Sequence, residues 1–210
     1  LRMIAPADSI ESAIRQFIFY QYYFYGFPHF GYSAALLIPL KMLGKIENTF
    51  LVMLILRQGT SVLLMIAALV LMVYIQDKFT SYRSVVLFLL LALIPAVVQN
   101  NFWWHPDSMV TLLSILTLFF LERDRLRLGH NFLVAAILCG VSTAVKNVGA
   151  YFFLAVGLVL ILSWLKNKTP LRKIIWISMS FVGIMTISYV ISNPFLFSKW
   201  GRLEYQIVFN

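Results

Sequence analysis

Between Leu128 and Leu165 the chain reads LGHNFLVAAILCGVSTAVKNVGAYFFLAVGLVLILSWL, 38 residues in which Lys146 alone carries a formal charge. An α-helix rises about 1.5 Å per residue and a bilayer's hydrocarbon core is about 30 Å thick, so about 20 apolar residues make one crossing. The stretch is too long for one crossing and right for two, with the turn at Lys146-Asn147-Val148-Gly149.

The same criterion applied outward gives six candidate spans: Phe50 to Gln76 (interrupted by Arg57), Ser84 to Gln99, Pro106 to Leu121, Leu128 to Val145, Val148 to Leu165 and Ile174 to Ser192. Composition agrees. The 210 residues are 61% hydrophobic and 12% charged, with a mean hydropathy of +0.85, whereas soluble domains carry about 25% charged residues. A soluble chain of this size cannot hide so much apolar surface in its own interior. Lone Cys139 excludes a disulfide framework and a cysteine metal site. The chain begins at Leu1 and ends in Ile207-Val208-Phe209-Asn210 with no basic stop, and is read as an internal fragment of a longer protein.

The net charge of +9 is divided among loops rather than gathered in one patch, which argues against nucleic acid. Every second loop is basic: Lys78 and Arg83; Arg123, Arg125 and Arg127; Lys166, Lys168, Arg172 and Lys173. The positive-inside bias assigns these loops to the cytoplasm. Asn100 to Asp107, Lys146, residues 193–210 and everything before Phe50 then fall on the exoplasmic side, and the sequon Asn167-Lys168-Thr169 is cytoplasmic and unglycosylated.

Residues 1–49 differ. Ten of the sixteen residues from Phe17 to Tyr32 are Phe or Tyr, a density suited to the membrane interface, where a tyrosine buries its ring and wets its hydroxyl. The apolar run Tyr32 to Leu43 is too short to span and reads as an interfacial or re-entrant helix. The expected architecture is all-α: a polytopic membrane helix bundle of about six transmembrane spans plus an exoplasmic interfacial helix. Residues 1–49 form an exoplasmic loop with aromatic-rich interfacial helices, 50–192 the six-span bundle, and 193–210 the start of a further exoplasmic segment.

Ionisable groups are costly in a membrane, so the eight carboxylates are the first place to look for chemistry. Asp77, Glu122 and Asp124 sit in basic loops as solvated partners, Glu47 starts a span, and Glu204 is near the end of the chain. Asp8, Glu11 and Asp107 remain, all on the exoplasmic side. Asp8 also reads as an N-cap, with Glu11 in the first turn. Asp107, after Pro106, also suits a helix start, but it stands among Asn100, Asn101, Trp103, Trp104 and His105, more polar equipment than a cap needs. His29, Lys146 and Arg57 are single candidates for a substrate or a lipid phosphate. A divalent cation, if one is bound, would sit at Asp107 and His105. There is no Gly-rich phosphate loop, His or Cys pair at metal spacing, or nucleophile elbow.

The order of these parts resembles the glycosyltransferase C superfamily, in particular enzymes similar to dolichyl-phosphate-mannose protein mannosyltransferases and bacterial lipid-linked sugar transferases. The likeness runs from about Asp8 to Phe195: an early acid, the turn Phe27-Pro28-His29-Phe30-Gly31-Tyr32 before a helix closed by Leu43-Gly44, an Arg-bearing span, His105-Pro106-Asp107-Ser108, the stretch Gly140 to Gly149 around Lys146, and Asn193-Pro194-Phe195. Asp8 and Glu11 are three apart where the family has adjacent acids.

The resemblance implies an inverting hexosyltransferase of the bacterial inner membrane or endoplasmic reticulum. It would move a sugar from a polyprenyl- or dolichyl-phosphate donor to a hydroxyl of a protein or glycolipid acceptor. Asp8, with Glu11, would be the catalytic base; Lys146 and Arg57 would meet the phosphate, and Asp107, His105 and His29 would bind substrate. The alternative is a membrane transporter or lipid flippase, in which Asp8 and Asp107 bind substrate and no bond is made; its site would lie near the mid-membrane.

Overall fold

The computed structural model describes residues 2–20, 25–199 and 201–203, and all regular structure among them is helical. Gln21 to Phe24 of the aromatic segment, and Glu204 with the rest of the final segment, lie outside the described residues. Helix α1 (Ile10–Ile18) and α2 (Phe27–Met42) precede α3 (Thr49–Leu56), which runs through a π-helical segment (Arg57–Val62) into α4 (Leu63–Asp77). Then come α5 (Tyr82–Ala92), α6 (Pro95–Asn100), α7 (Asp107–Asp124), α8 (His130–Val145), α9 (Phe153–Asn167) and α10 (Leu171–Ile191).

Three helices among the described residues are long and apolar enough to cross a membrane: Thr49–Asp77, Gly149–Asn167 and Leu171–Ile191. The other expected spans are shorter or more charged. α7 has 18 residues but carries Asp107 at one end and Glu122, Arg123 and Asp124 at the other; α8 has 16. The run Ser84 to Gln99 is not one helix. It breaks after α5, because Pro95 lacks an amide donor and forces the residue before it out of the helical region; Ile94 is extended (ψ 127°), and Pro95 opens α6.

α8 is the centre of the bundle, with α7 and α10 packed along it. Its small buried residues Ala135, Ala136, Cys139 and Gly140 allow that approach. A Cβ on Gly140 would overlap the Met185 carbonyl of α10. Phe132 and Phe181 fill the same interface, ring centroids 5.0 Å apart. The outer faces of α9 and α10 are apolar and exposed, with Leu154, Ile161, Trp164, Trp176 and Met179 all uncovered. This is the surface a lipid-solvated bundle presents.

The loops sort into two ends. At one, the Ser163 hydroxyl and the Asn167 amide both donate to the Leu126 carbonyl, and Lys173 Nζ to that of Arg127, so the basic loops 123–127 and 166–173 lie together. Asp124 is not a solvated partner there. It is 3% exposed and accepts from the backbone amides of Leu128, Gly129 and Phe132, capping the start of α8. At the other end Lys146 leaves α8 in an extended conformation (φ −159°, ψ 139°), and a 3-10 turn (Asn147–Phe152) leads into α9.

Candidate functional site

Four side chains from distant parts of the chain meet at the Lys146 end. Asp107 is the first residue of α7, where the positive helix end favours a carboxylate; Pro106 stands one place before it, at the N-cap. Its Oδ1 accepts from Lys146 Nζ at 2.9 Å, and its Oδ2 lies 3.0 Å from His105 Nδ1. The Tyr25 hydroxyl is 2.6 Å from Nε2 of the same ring. The result is a chain Lys146, Asp107, His105, Tyr25, with the first three side chains 31–46% exposed.

His29 lies beside this chain and is 1% exposed. Its ring stacks on Trp104 at 5.5 Å and meets Tyr25 edge-on at 6.1 Å; Nδ1 has no hydrogen-bond partner among the described residues. Burial, reinforced by the neighbouring His105 and opposed by Asp107, pushes its pKa down from 6.5 to about 4, so the ring is neutral at pH 7. Trp104 Nε1 donates to Ser33 Oγ at 3.1 Å, and Ser33 Oγ to the His29 carbonyl at 2.8 Å. This fixes α2 against the 101–105 loop.

Arg57 acts on that loop rather than on Asp107. Its Nε donates to the Asn101 carbonyl at 3.0 Å and its guanidinium lies over the Phe102 ring at 5.0 Å. Arg57 opens the π-helical segment, a local widening that often marks functional sites. Farther along it, Ser61 donates to the Trp103 carbonyl, and Gly59 offers its carbonyl to the Tyr32 hydroxyl at 3.3 Å. One irregular segment thus holds the loop that carries His105.

The first part of the chain is tied in from below. Gly26 N donates to the Val145 carbonyl at 3.1 Å, so close that a Cβ on Gly26 would overlap the carbonyl of Ala144. Buried Asn193 accepts from the Phe27 amide at 3.3 Å and donates to the Tyr189 carbonyl at 3.3 Å. Tyr25 therefore reaches His105 because α2 is pinned to the ends of α8 and α10.

The structure thus joins Asp107, His105 and Lys146 directly, His29 through ring contacts and Arg57 through the loop backbone. It does not join Asp8 and Glu11 to them. Both are exposed and make no hydrogen bond or ion pair with the described residues. Nor is Asp8 the cap of α1: Ser9 is, in a reciprocal pair with Ser12. Sequence reasoning missed Tyr25, Ser33 and Asn193 as parts of the site. Tyr25 was visible only as one ring in an aromatic run; Asn193 was visible as the start of the Asn193-Pro194-Phe195 motif.

Among the described residues no three His, Cys, Asp or Glu side chains converge on a metal position. Both oxygens of Asp107 and one nitrogen of His105 are taken by each other and by Lys146. The donor set, two ligands without a third among the described residues, does not fit a divalent cation.

These features define, among the described residues, an all-helical protein with three helices long and apolar enough to cross a membrane and a half-exposed polar cluster at one end of its bundle. Comparison with protein-family models, with curated proteins and with solved structures finds no match.

Proposed function

We propose that the chain belongs to an integral-membrane glycosyltransferase that takes a sugar from a polyprenyl- or dolichyl-phosphate donor. In this reading six helical segments cross the membrane, three of them shorter or more charged than a lone span. The basic loops are cytoplasmic, and Asp107 and Lys146 face the exoplasmic side. The supporting observation is the meeting of Lys146, Asp107 and His105 at the bundle end opposite the clustered basic loops. The spans there end beside a mobile-proton group, a cation and an aromatic wall.

The reaction needs three things at a membrane surface. A base must take the proton of the acceptor hydroxyl as its oxygen attacks the anomeric carbon from the side opposite the phosphate. A cation must meet the charge that grows on the phosphate as its bond to that carbon breaks. A rim must hold the donor's lipid chain. Lys146 is the cation. Asp107 and His105 orient the substrates, with His29 behind them, and Arg57 holds the loop that carries His105. Asp8, with Glu11 beside it, is the base by resemblance; both carboxylates are exposed and unpaired among the described residues, hence free to meet a hydroxyl. Trp103 and Phe102, both exposed, supply an aromatic rim for the prenyl chain. Replacing Asp8 by Asn in the full-length protein in vesicles, with transfer of labelled sugar as readout, tests the base: full turnover by Asp8→Asn excludes it.

A further inference from the structure

The contact between Lys146 and Asp107 has an unusual balance. Each side chain is nearly half exposed, 42% and 46%, and an ion pair so placed holds only weakly. Lys146 Nζ, with three donors, has Asp107 as its only side-chain partner among the described residues. Asp107 is better provided: without Lys146 its Oδ2 keeps His105, and the start of α7 continues to favour its charge. The ammonium is therefore the partner that can leave at little cost to the other.

We propose that Asp107 is a place-holder for phosphate: the lipid donor's phosphate takes Lys146 from Asp107 on binding, and Asp107 takes it back when the phosphate departs. This rests on the sugar-transfer reading above and adds a binding role for Asp107 within it. The chemistry favours the cycle in both directions. A donor phosphodiester carries one negative charge. The product monoester approaches two, and it does so beside a carboxylate that Lys146 no longer neutralises. Repulsion from Asp107 is thus larger for the product than for the donor, and offsets part of the stronger pull that Lys146 exerts on the dianion.

The test is binding of polyprenyl phosphate to the full-length protein in phosphatidylcholine nanodiscs, at low and high salt, with a thermal melt of each variant. Asp107→Asn, and Asp107→Ser as a second variant that keeps a helix-start side chain, should bind about two- to fivefold more tightly than wild type, the gain shrinking as salt rises. Lys146→Met should weaken binding and Lys146→Arg restore most of it. Equal or weaker binding by both Asp107 variants overturns the exchange but leaves the sugar-transfer reading standing. No binding of either polyprenyl phosphate or a polyprenyl-phosphate sugar by wild type or any variant overturns both. The same tightening with phosphatidylglycerol or inorganic phosphate, at similar affinity, overturns the assignment to a polyprenyl phosphate.

Discussion

Tyr25 and His105, 80 residues apart, meet through a 2.6 Å hydrogen bond between the tyrosine hydroxyl and Nε2 of the imidazole. The bond couples the aromatic segment before α2 to the loop before α7, and the far side of the same ring faces Asp107, with Nδ1 3.0 Å from Oδ2. A half-buried bond of this kind contributes about 1 kcal/mol. Tyr25→Phe should lower the melting temperature in detergent accordingly, and His105→Ala, which also removes the ring contact with Asp107, should lower it further. A Tyr25→Phe protein as stable as wild type would show that the bond contributes nothing.

His29 predicts an acid sensitivity. Its folded pKa lies near 4, against 6.5 when unfolded, so between these values the unfolded chain binds a proton that the folded chain does not. Stability is complete above about pH 6.5, falls as pH drops toward about 4, and levels off below, a loss of up to about 3 kcal/mol. Melts of wild type and His29→Phe across this range check it. His29→Phe should lose the His29 part of the slope; identical slopes would contradict the assignment.

Asp124 predicts a purely structural defect. Asp124→Ala leaves the amides of Leu128, Gly129 and Phe132 without their acceptor at the buried start of α8. The cost should be about 2 to 4 kcal/mol, seen as a lower melting temperature, with binding at the Lys146 end unchanged in the folded fraction. Unchanged stability would contradict the capping role.

That carboxylate also shows where the sequence stops being informative. The 38-residue run around Lys146 announced two helices and their turn, because length and charge are local. The break at Pro95 was missed in reading Ser84 to Gln99 as one span, although its signal is local, since proline acts on its own neighbour. Burial of Asp124 depends instead on three left-handed residues, Arg125, Leu126 and Leu128 (φ 51°, 61° and 54°), which fold the loop back over it, and none is a residue type that favours this conformation. At the site, Asp107, His105 and Lys146 were each legible as chemistry. That they form one cluster is a property of α7 packing on α8. Tyr25 depends on contacts farther still, through Gly26 and Asn193.

Topology is checked with single cysteines. Cys139 is buried, so the wild-type background should be low. Trp103 is 64% exposed in the loop before α7, and Lys168 is exposed at the opposite end. In intact cells a membrane-impermeant maleimide should label Trp103→Cys, and should label Lys168→Cys only after permeabilisation. The reverse pattern would place Asp107 and Lys146 in the cytoplasm.

The central claim is transfer of a sugar from a lipid phosphate at the Lys146 end of the bundle. It is tested most directly with full-length protein in vesicles, by following radiolabelled sugar from polyprenyl-phosphate donors in wild type and in Lys146→Met. The account predicts loss of label from the donor by the wild type and at least about a hundredfold slower loss by Lys146→Met, the scale for removing one group that stabilises developing charge. Equal rates in the two proteins, or no wild-type transfer from any donor bound at the site, would contradict it.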